Sequence, residues 1–472
     1  MRARPGVPLL VVGSLAIAGL TLLLPSVPTT DPWGWIVWGR QVLHLDLNTV
    51  AGPPSWKPLP VLFTAPLSLL GGAAPSAWLV IARAGGILAL ALAFRLGARL
   101  AGPAAGAVAV LGLALSGGWL RGLAYGYTEG LAVALLLWAI LSHMDGRRGR
   151  ALVLAFLVSL SRPEAWAFLL PYAAFVAWKE PRLRLPAAAV AIGSPLLWIL
   201  PDWWGSGQLF HASRVAGVNL SADGANPGLH VVRAGLGLIS LPLELLAVAG
   251  LALAVRRRDR RVLLLGLGAL AWILLLGVAT EAHYPGAGRF LVPPVAIVCV
   301  LAGVGAAWLS QLAGRVAPQA ALAVLLAAAV LPVLARADAS ADQAIGTHGP
   351  TLLQGDLDVA LQQAGGPLAV LRCGQPVLPL HLWWNAGALA WKLDVPLDRI
   401  ATVQERQLAS LDGIRAPAVL FRPLARSVPQ DPVAIPAQSP PPPGLRVRRL
   451  ARYGGWSVLA LEPKSHAPRA CA

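Results

Sequence analysis

The chain has 472 residues, of which 57% are hydrophobic and only 12% charged, about half the charged share of an ordinary soluble domain (~25%). Apolar runs close to the ~20 residues that cross a bilayer recur along most of it, which excludes a single water-soluble core for everything before the C-terminal tail. The net charge of +17 would suit a nucleic-acid partner, but the distribution of the charge excludes one.

Candidate spans are residues 7–25, 76–100, 103–120, 124–143, 150–162, 164–178, 185–201, 231–255, 262–280, 290–312 and 317–336. With Arg2 and Arg4 in the cytoplasm, sixteen of the 25 lysines and arginines before residue 337 fall on the cytoplasmic side, the bias expected of a multi-pass protein. The acids run the other way: Asp31, Asp46, Glu129, Glu164, Asp202, Asp223 and Glu281 fall at the outer face, while Glu244 lies within a span. The first helix is read as retained, because no small-x-small cleavage site precedes Pro25 and Pro28. A multi-pass protein of the cytoplasmic (inner) membrane, with any site facing outward, is the expectation.

Asp31 stands at the exit of the first helix, in Thr-Thr-Asp-Pro-Trp. Alone it reads as a helix-start aspartate. The stretch Pro32–Leu45 that follows is amphipathic, with Trp35, Trp38 and Val42 at helical spacing, and predicts an interfacial helix with its tryptophans at the headgroup level. Trp56–Leu70 is apolar but carries Pro58, Pro60 and Pro66; as a full span it would put Arg95 and Arg99 outside, so it reads as interfacial or re-entrant. Lys57 is the one lysine expected on the outer side before the tail, a point charge that either snorkels or binds phosphate.

Arg83 lies in the outer half of a span, where an unpaired arginine costs ~2.5 kcal/mol or more. Glu129 begins the next outer-facing helix, either as a solvated helix-start acid or as a second carboxylate beside Asp31. Ser-Arg-Pro-Glu-Ala-Trp puts Arg162 and Glu164 at a break between two apolar halves, as an internal ion pair or as substrate contacts. Near residue 290, Arg289 enters a span from outside, whereas Glu281 and His283 read as plain loop residues. Cys299 reads as an apolar filler; Cys373 and Cys471 fall in the tail, where a disulfide is one option. Three cysteines so placed make no metal site.

Three parts emerge: residues 1–75, with one helix and a long outer loop; 76–336, a bundle of spans; and 337–472, a polar tail. In the tail, Pro367–Leu371 and Ala416–Phe421 predict strands, Leu445–Leu450 and Trp456–Leu461 a hairpin around Gly454-Gly455, and Leu382–Trp391 and Val403–Leu411 helices. Residues 438–444, with four consecutive prolines, read as a stiff linker. The fold class expected is mainly α, about eleven spans followed by a small C-terminal α/β domain.

Asp31, then Trp56-Lys57-Pro58-Leu59-Pro60, Gly71-Gly72 and Arg83, then Tyr127-Thr128-Glu129, then Arg289-Phe290-Leu291-Val292-Pro293 form an order that resembles the GT-C glycosyltransferases. The similarity is to the branch related to protein O-mannosyltransferases and aminoarabinose transferases. It covers about residues 1–310 and a tail domain; Leu59 in place of a second proline, Phe290 in place of tyrosine and Glu129 in place of aspartate depart from the pattern.

The resemblance implies a hexosyl- or pentosyltransferase that takes a sugar from a polyprenyl-phosphate donor to a hydroxyl of a glycan, lipid or protein. The reaction would run outside the membrane, with inversion and with the tail domain extracytoplasmic. It implies Asp31 as general base, Glu129 in support, and Lys57 and Arg289 on the phosphate, with Arg83 as a lesser candidate; Trp56, Arg162 and Glu164 are read beside it as further substrate contacts. Trp383, Trp384 and Trp391 would either stack on a sugar acceptor or form the core of the tail. No metal or other cofactor is indicated. The rival readings are a lipid or glycan transporter or flippase, which needs polar sites near the midplane and often inverted repeats, and a noncatalytic envelope-assembly scaffold.

Overall fold

The computed structural model describes residues 6–51, 54–219, 226–312, 348–404, 411, 414–424 and 444–465. Helix α1 (Val7–Leu20) follows Gly6 with a proline in its first turn. After it come α2 (Thr30–Leu43) and α3 (Pro58–Leu67), which lie against each other. A 3-10 stretch, Ser68–Ala73, leads into α4 (Ala74–Ala101), and Gly71 within it has φ 54°, ψ −126°, a conformation that suits a residue without Cβ. Helices α5 (Pro103–Ala114), α6 (Trp119–Ala124), α7 (Glu129–Met144), α8 (Arg148–Ser159), α9 (Trp166–Lys179) and α10 (Arg184–Ser206) follow. Then come α11 (His211–Asn219), α12 (Pro227–Leu236), α13 (Leu241–Arg257), α14 (Arg260–Glu281) and α15 (Val292–Leu312).

α15 is the axis of the bundle. It is buried at nearly every position from Val292 to Trp308 and packs on α4, α5, α13 and α14. Small residues let it approach so closely: a Cβ on Gly305 would stand 1.9 Å from the Leu246 carbonyl oxygen of α13, the close backbone contact typical of helices packed in a membrane.

The hydropathy reading expected eleven spans; the helices are more broken than that. Among the described residues four segments are long and apolar enough to cross a membrane: Pro58–Ala101, Pro181–Ser206, Arg260–Glu281 and Gly288–Leu312. The pair α12 and α13 is bent by 92° and makes a fifth only if counted as one span. The expected spans 103–120 and 150–162 become helices of 12 residues, about 18 Å at 1.5 Å per residue, because Gly117-Gly118 and Arg162-Pro163 stop them. Residues 317–336 lie outside the described residues.

The charged residues expected inside do gather together. Arg99 and Arg150 reach Asp145, and Arg148 and Arg182 reach Glu180. Asp145 follows the C-terminal end of α7, sixteen residues from Glu129, so the two ends are about 24 Å apart.

The tail forms a mixed five-stranded sheet, β1 (Gln375–Pro379), β2 (Ala401–Val403), β3 (Ala418–Pro423), β4 (Leu445–Tyr453) and β5 (Trp456–Pro463), in the order β2-β1-β3-β5-β4. β1 runs parallel to β2 and β3; β5 is antiparallel to β3 and β4, with Leu420 opposite Leu459. Helices α16 (His348–Gln363), α17 (Gly366–Cys373) and α18 (Ala386–Leu393) accompany it.

The expected hairpin forms as β4 and β5, turning at Gly454 with φ 49°. The strand expected at Pro367–Leu371 is instead α17: Pro367 fits the first turn of a helix, and a five-residue apolar run does not by itself distinguish strand from buried helix. Leu382–Trp391 splits into a 3-10 turn, Leu380–Asn385, and α18. Most of the helix expected at Val403–Leu411 lies outside the described residues, and Val403 itself belongs to β2. Cys373 is buried and Cys299 is free, while Cys471 lies outside the described residues.

The tryptophans of α2 do not face outward. Trp33, Trp35, Ile36, Val37 and Trp38 are all buried, and they share one hydrophobic core with Leu353, Leu357, Leu389, Phe421 and Trp456 of the tail. The expected amphipathic helix at the headgroup level is instead buried all round from Asp31 to Gly39, between the tail on the Trp33 side and Thr64, Trp78 and Trp56 on the side of Trp35 and Trp38.

Candidate active site

Asp31 sits in the first turn of α2, after the extended cap residue Thr29, and makes no capping bond. Its carboxylate accepts a hydrogen bond from Arg289 at 2.8 Å instead. Burial works to raise the Asp31 pKa, but Arg289, Lys57 and Arg162 outweigh it and hold the group below 3.8. Arg289 lies in the 3-10 turn Gly288–Leu291 that opens α15. Its guanidinium also lies 3.9 Å from Glu129 Oε1 and stacks over the Tyr127 ring at 4.6 Å.

Glu129 is likewise in a first turn without acting as its cap. It pairs with Arg162, which is 1% exposed and lies over the Phe290 ring at 4.1 Å. The expected pair between Arg162 and Glu164 does not form. Arg162 is extended at the start of the 3-10 turn Pro163–Ala165, so side chains two residues apart there diverge. Glu164 is buried and faces the Tyr284 hydroxyl.

Lys57 is the extended residue before Pro58, and the next amide, Leu59 N–H, donates to Leu160 O at 3.0 Å, which pins this corner to the end of α8. The ammonium lies 5.0 Å from the Trp35 ring. The carboxylates it senses, Glu129 and Asp31, are paired with arginines. Burial, helped by Arg162 and Arg289, pushes the Lys57 pKa down to about 7.

Asp31, Lys57, Tyr127, Glu129, Arg162 and Arg289 all line one cavity of about 1470 Å³. They come from five separate segments. Three of the expected contacts, Glu164, Arg83 and Trp56, are absent from its lining. Arg83 donates to the carbonyls of Leu123, Ala124 and Thr21 and to the Thr21 hydroxyl, at 2.9 to 3.3 Å, and so braces the segment before Tyr127. Trp56 donates to Leu197 O at 3.1 Å and packs on Trp38. Glu281 accepts from Gly228 N–H, in keeping with a structural reading of that loop.

Two features escaped the sequence reading. The rings of Tyr127 and Phe290 carry the two arginines; both were quoted in motifs without a role, and an aromatic residue beside a charged one in each was the signal. The far wall of the cavity comes from the tail, through Leu380, Ala386, Gly387, Leu397, Ile400 and Thr402, and no local pattern marked it. Trp391 lies in this seam beneath Arg40, at 4.7 Å; nothing is described of the side chains of Trp383 and Trp384. Among the described residues no three His, Cys, Asp or Glu side chains stand together as a metal site would need.

No protein-family model matches the sequence, and a search of curated proteins finds no match. Solved structures do match. The crystal structure of ArnT from Cupriavidus metallidurans bound to undecaprenyl phosphate aligns with a TM-score of 0.52 and 15% identity. The same protein in the apo state aligns with a TM-score of 0.53 and 15% identity. Each alignment covers 96% of this chain and 97% of the other. The chain therefore has, over nearly its whole length, the mainly helical fold with a small mixed sheet that the order of its short motifs implied.

Proposed function

We propose that the chain is an integral membrane glycosyltransferase that moves a sugar from a polyprenyl-phosphate donor to an acceptor hydroxyl on the outer face of the cytoplasmic membrane. One observation carries the reading. Asp31, Glu129, Lys57, Arg162 and Arg289, brought from five segments, cluster in a single cavity whose wall also carries Arg121 and Asp202. That is the set a phosphate-leaving sugar transfer needs: cations for the charge that develops on the leaving phosphate and a carboxylate for the proton of the nucleophile. The neighbour in fold is a protein seen with undecaprenyl phosphate, a ligand of the same chemical class.

In this reading Lys57 and Arg289 hold the donor phosphate. Asp31 takes the proton of the acceptor hydroxyl as its oxygen attacks the anomeric carbon. The bond from that carbon to the phosphate oxygen breaks, and its electron pair leaves with the phosphate. Attack from the side opposite the leaving group inverts the sugar. Glu129 fixes Arg162 and shares Arg289, so it sets where the positive charge lies. The extracytoplasmic tail and the parts 1–75, 76–336 and 337–472 belong to the same proposal.

The test uses a strain whose own copy is deleted, complemented with wild type or Asp31→Asn at equal membrane level. Envelope glycans and polyprenyl-phosphate sugars are then profiled by mass spectrometry. The expected result is that Asp31→Asn, like the deletion, lacks one glycan species and accumulates one lipid-linked sugar, whose mass names the donor. A wild-type profile in the variant would instead favour a scaffold or transporter.

A further inference from the structure

The cavity holds its catalytic base and its phosphate-binding cation locked together. Arg289 donates to Asp31 at 2.8 Å. The same guanidinium lies 3.9 Å from Glu129 and rests on the Tyr127 ring, a flat platform on which it can slide without losing its stacking. A carboxylate held by a guanidinium is a weak base, since the pair stabilises its charged form. An arginine committed to a carboxylate is likewise a poor phosphate ligand. Lys57 makes no carboxylate pair of its own and stands in the same cluster as Asp31 and Arg289, so a phosphate docked on it lies within reach of that pair; Arg121, which also lines the cavity, stacks on the Tyr125 ring.

Resting on the glycosyltransferase reading, we infer that Arg289 exchanges partners: an anionic phosphate docked at Lys57 draws its guanidinium off Asp31, and the base becomes competent only when the donor is in place. The charged and titratable groups around Asp31 are Arg289 at the start of α15, Lys57 before α3, Arg162 after α8, and Tyr127 and Glu129 at the start of α7. Arg162 stays on Glu129 and Phe290 throughout, so the exchange moves one guanidinium and leaves the second pair as the fixed frame. Proton flow balances: the freed Asp31 accepts the acceptor's hydroxyl proton while the leaving phosphate keeps the electron pair of the broken bond and is neutralised by Lys57 and Arg289.

Arg289 is thus a positioning residue for Asp31 as well as a phosphate ligand, and a double-mutant cycle separates this from a merely structural role. Undecaprenyl phosphate is titrated into the detergent-solubilised full chain, as wild type, Asp31→Asn, Arg289→Gln and the double variant, each shown monodisperse. With exchange, Asp31→Asn frees Arg289 and tightens binding by roughly tenfold, about 1.4 kcal/mol, and the gain shrinks in the Arg289→Gln background. Without exchange, Asp31→Asn only removes repulsion between two anions, which the guanidinium screens; the gain is then larger once Arg289 is gone. That reversed order overturns the partner exchange and leaves the transferase reading standing. Failure of wild type to bind undecaprenyl phosphate overturns both. Should Arg289→Gln not fold, Arg289→Lys takes its place. It keeps the charge but loses the flat fork that stacks on Tyr127, and the same comparison of gains applies with a smaller expected difference.

Discussion

At the scale of single residues, burial converts ordinary surface charges into chemistry. Lys57 would titrate near 10.4 in water; buried beside Arg162, its pKa falls to about 7. The consequence for binding has a definite sign. Above pH 7 the free protein carries mostly neutral Lys57, and a bound phosphate restores the charged form, so binding takes up a proton there. The affinity for undecaprenyl phosphate therefore falls as pH rises from 7 to 9, by up to about tenfold per unit. The ratio of wild type to Lys57→Arg removes the titration of the lipid itself. That ratio is expected to decline with pH; a flat ratio would mean that Lys57 stays charged or does not touch the phosphate. Arg83 shows the opposite outcome for a costly buried cation. Four hydrogen bonds to Leu123, Ala124 and Thr21 satisfy it, and its task is to hold the strand of chain that leads to Tyr127 and Glu129.

Among the elements, α2 decides the most. It carries Asp31 at one end and Arg40 in its last turn; between them Trp33 meets the tail at Gln354 and Gly387, while Trp35 and Trp38 pack on Trp78 and Trp56. Arg40 donates to Trp391 O at 3.1 Å and Val395 O at 3.2 Å and lies over the Trp391 ring. Its ion pair with Asp394 adds little, because Asp394 is 81% exposed. Arg40→Ala is expected to cost on the order of 2 kcal/mol, from two hydrogen bonds and a cation–π contact. A lower melting temperature and faster proteolysis of the tail are the measurements; an unchanged cleavage rate would show that the tryptophan core alone holds the seam. At the same seam a Cβ on Gly387 would stand 2.5 Å from Trp33 Cβ. Gly387→Val must push α18 from α2, and it should reduce transfer far more than it reduces binding of undecaprenyl phosphate, since Lys57 and Arg289 lie on other elements. Equal losses in both would place the tail in donor binding instead.

For the whole molecule, the question is which end of the bundle faces which solution. The site gathers at the N-terminal end of α7, and the Arg99–Asp145 and Arg148–Glu180 pairs gather at the other. The positive-inside bias predicts that the second end lies in the cytoplasm. In intact cells with a permeable outer layer, a membrane-impermeant maleimide should label Arg399→Cys and leave Arg147→Cys unlabelled until the membrane is opened. The reverse pattern would turn the protein over and move the reaction to the cytoplasmic side.

Local chemistry made much of this protein legible in the sequence. Apolar runs of membrane length, the segregation of basic residues and the short motifs around Asp31, Lys57, Glu129 and Arg289 each depend on neighbours only a few positions away. They were enough for the mainly helical fold and for most of the charged residues that meet in the cavity. What the sequence could not carry were choices that depend on distant partners. Whether Arg162 pairs with Glu164, two residues on, or with Glu129, 33 positions back, is set by the turn at Pro163 and the packing of α7 on α8. Whether Trp33 of α2 meets lipid or the tail, some 320 residues later, and whether Trp35 and Trp38 meet lipid or Trp78 and Trp56, is set by tertiary contact. An amphipathic period tells which face is buried, and a charged residue tells that a partner is needed; neither names what lies opposite, because that energy is realised only when the chain has closed on itself.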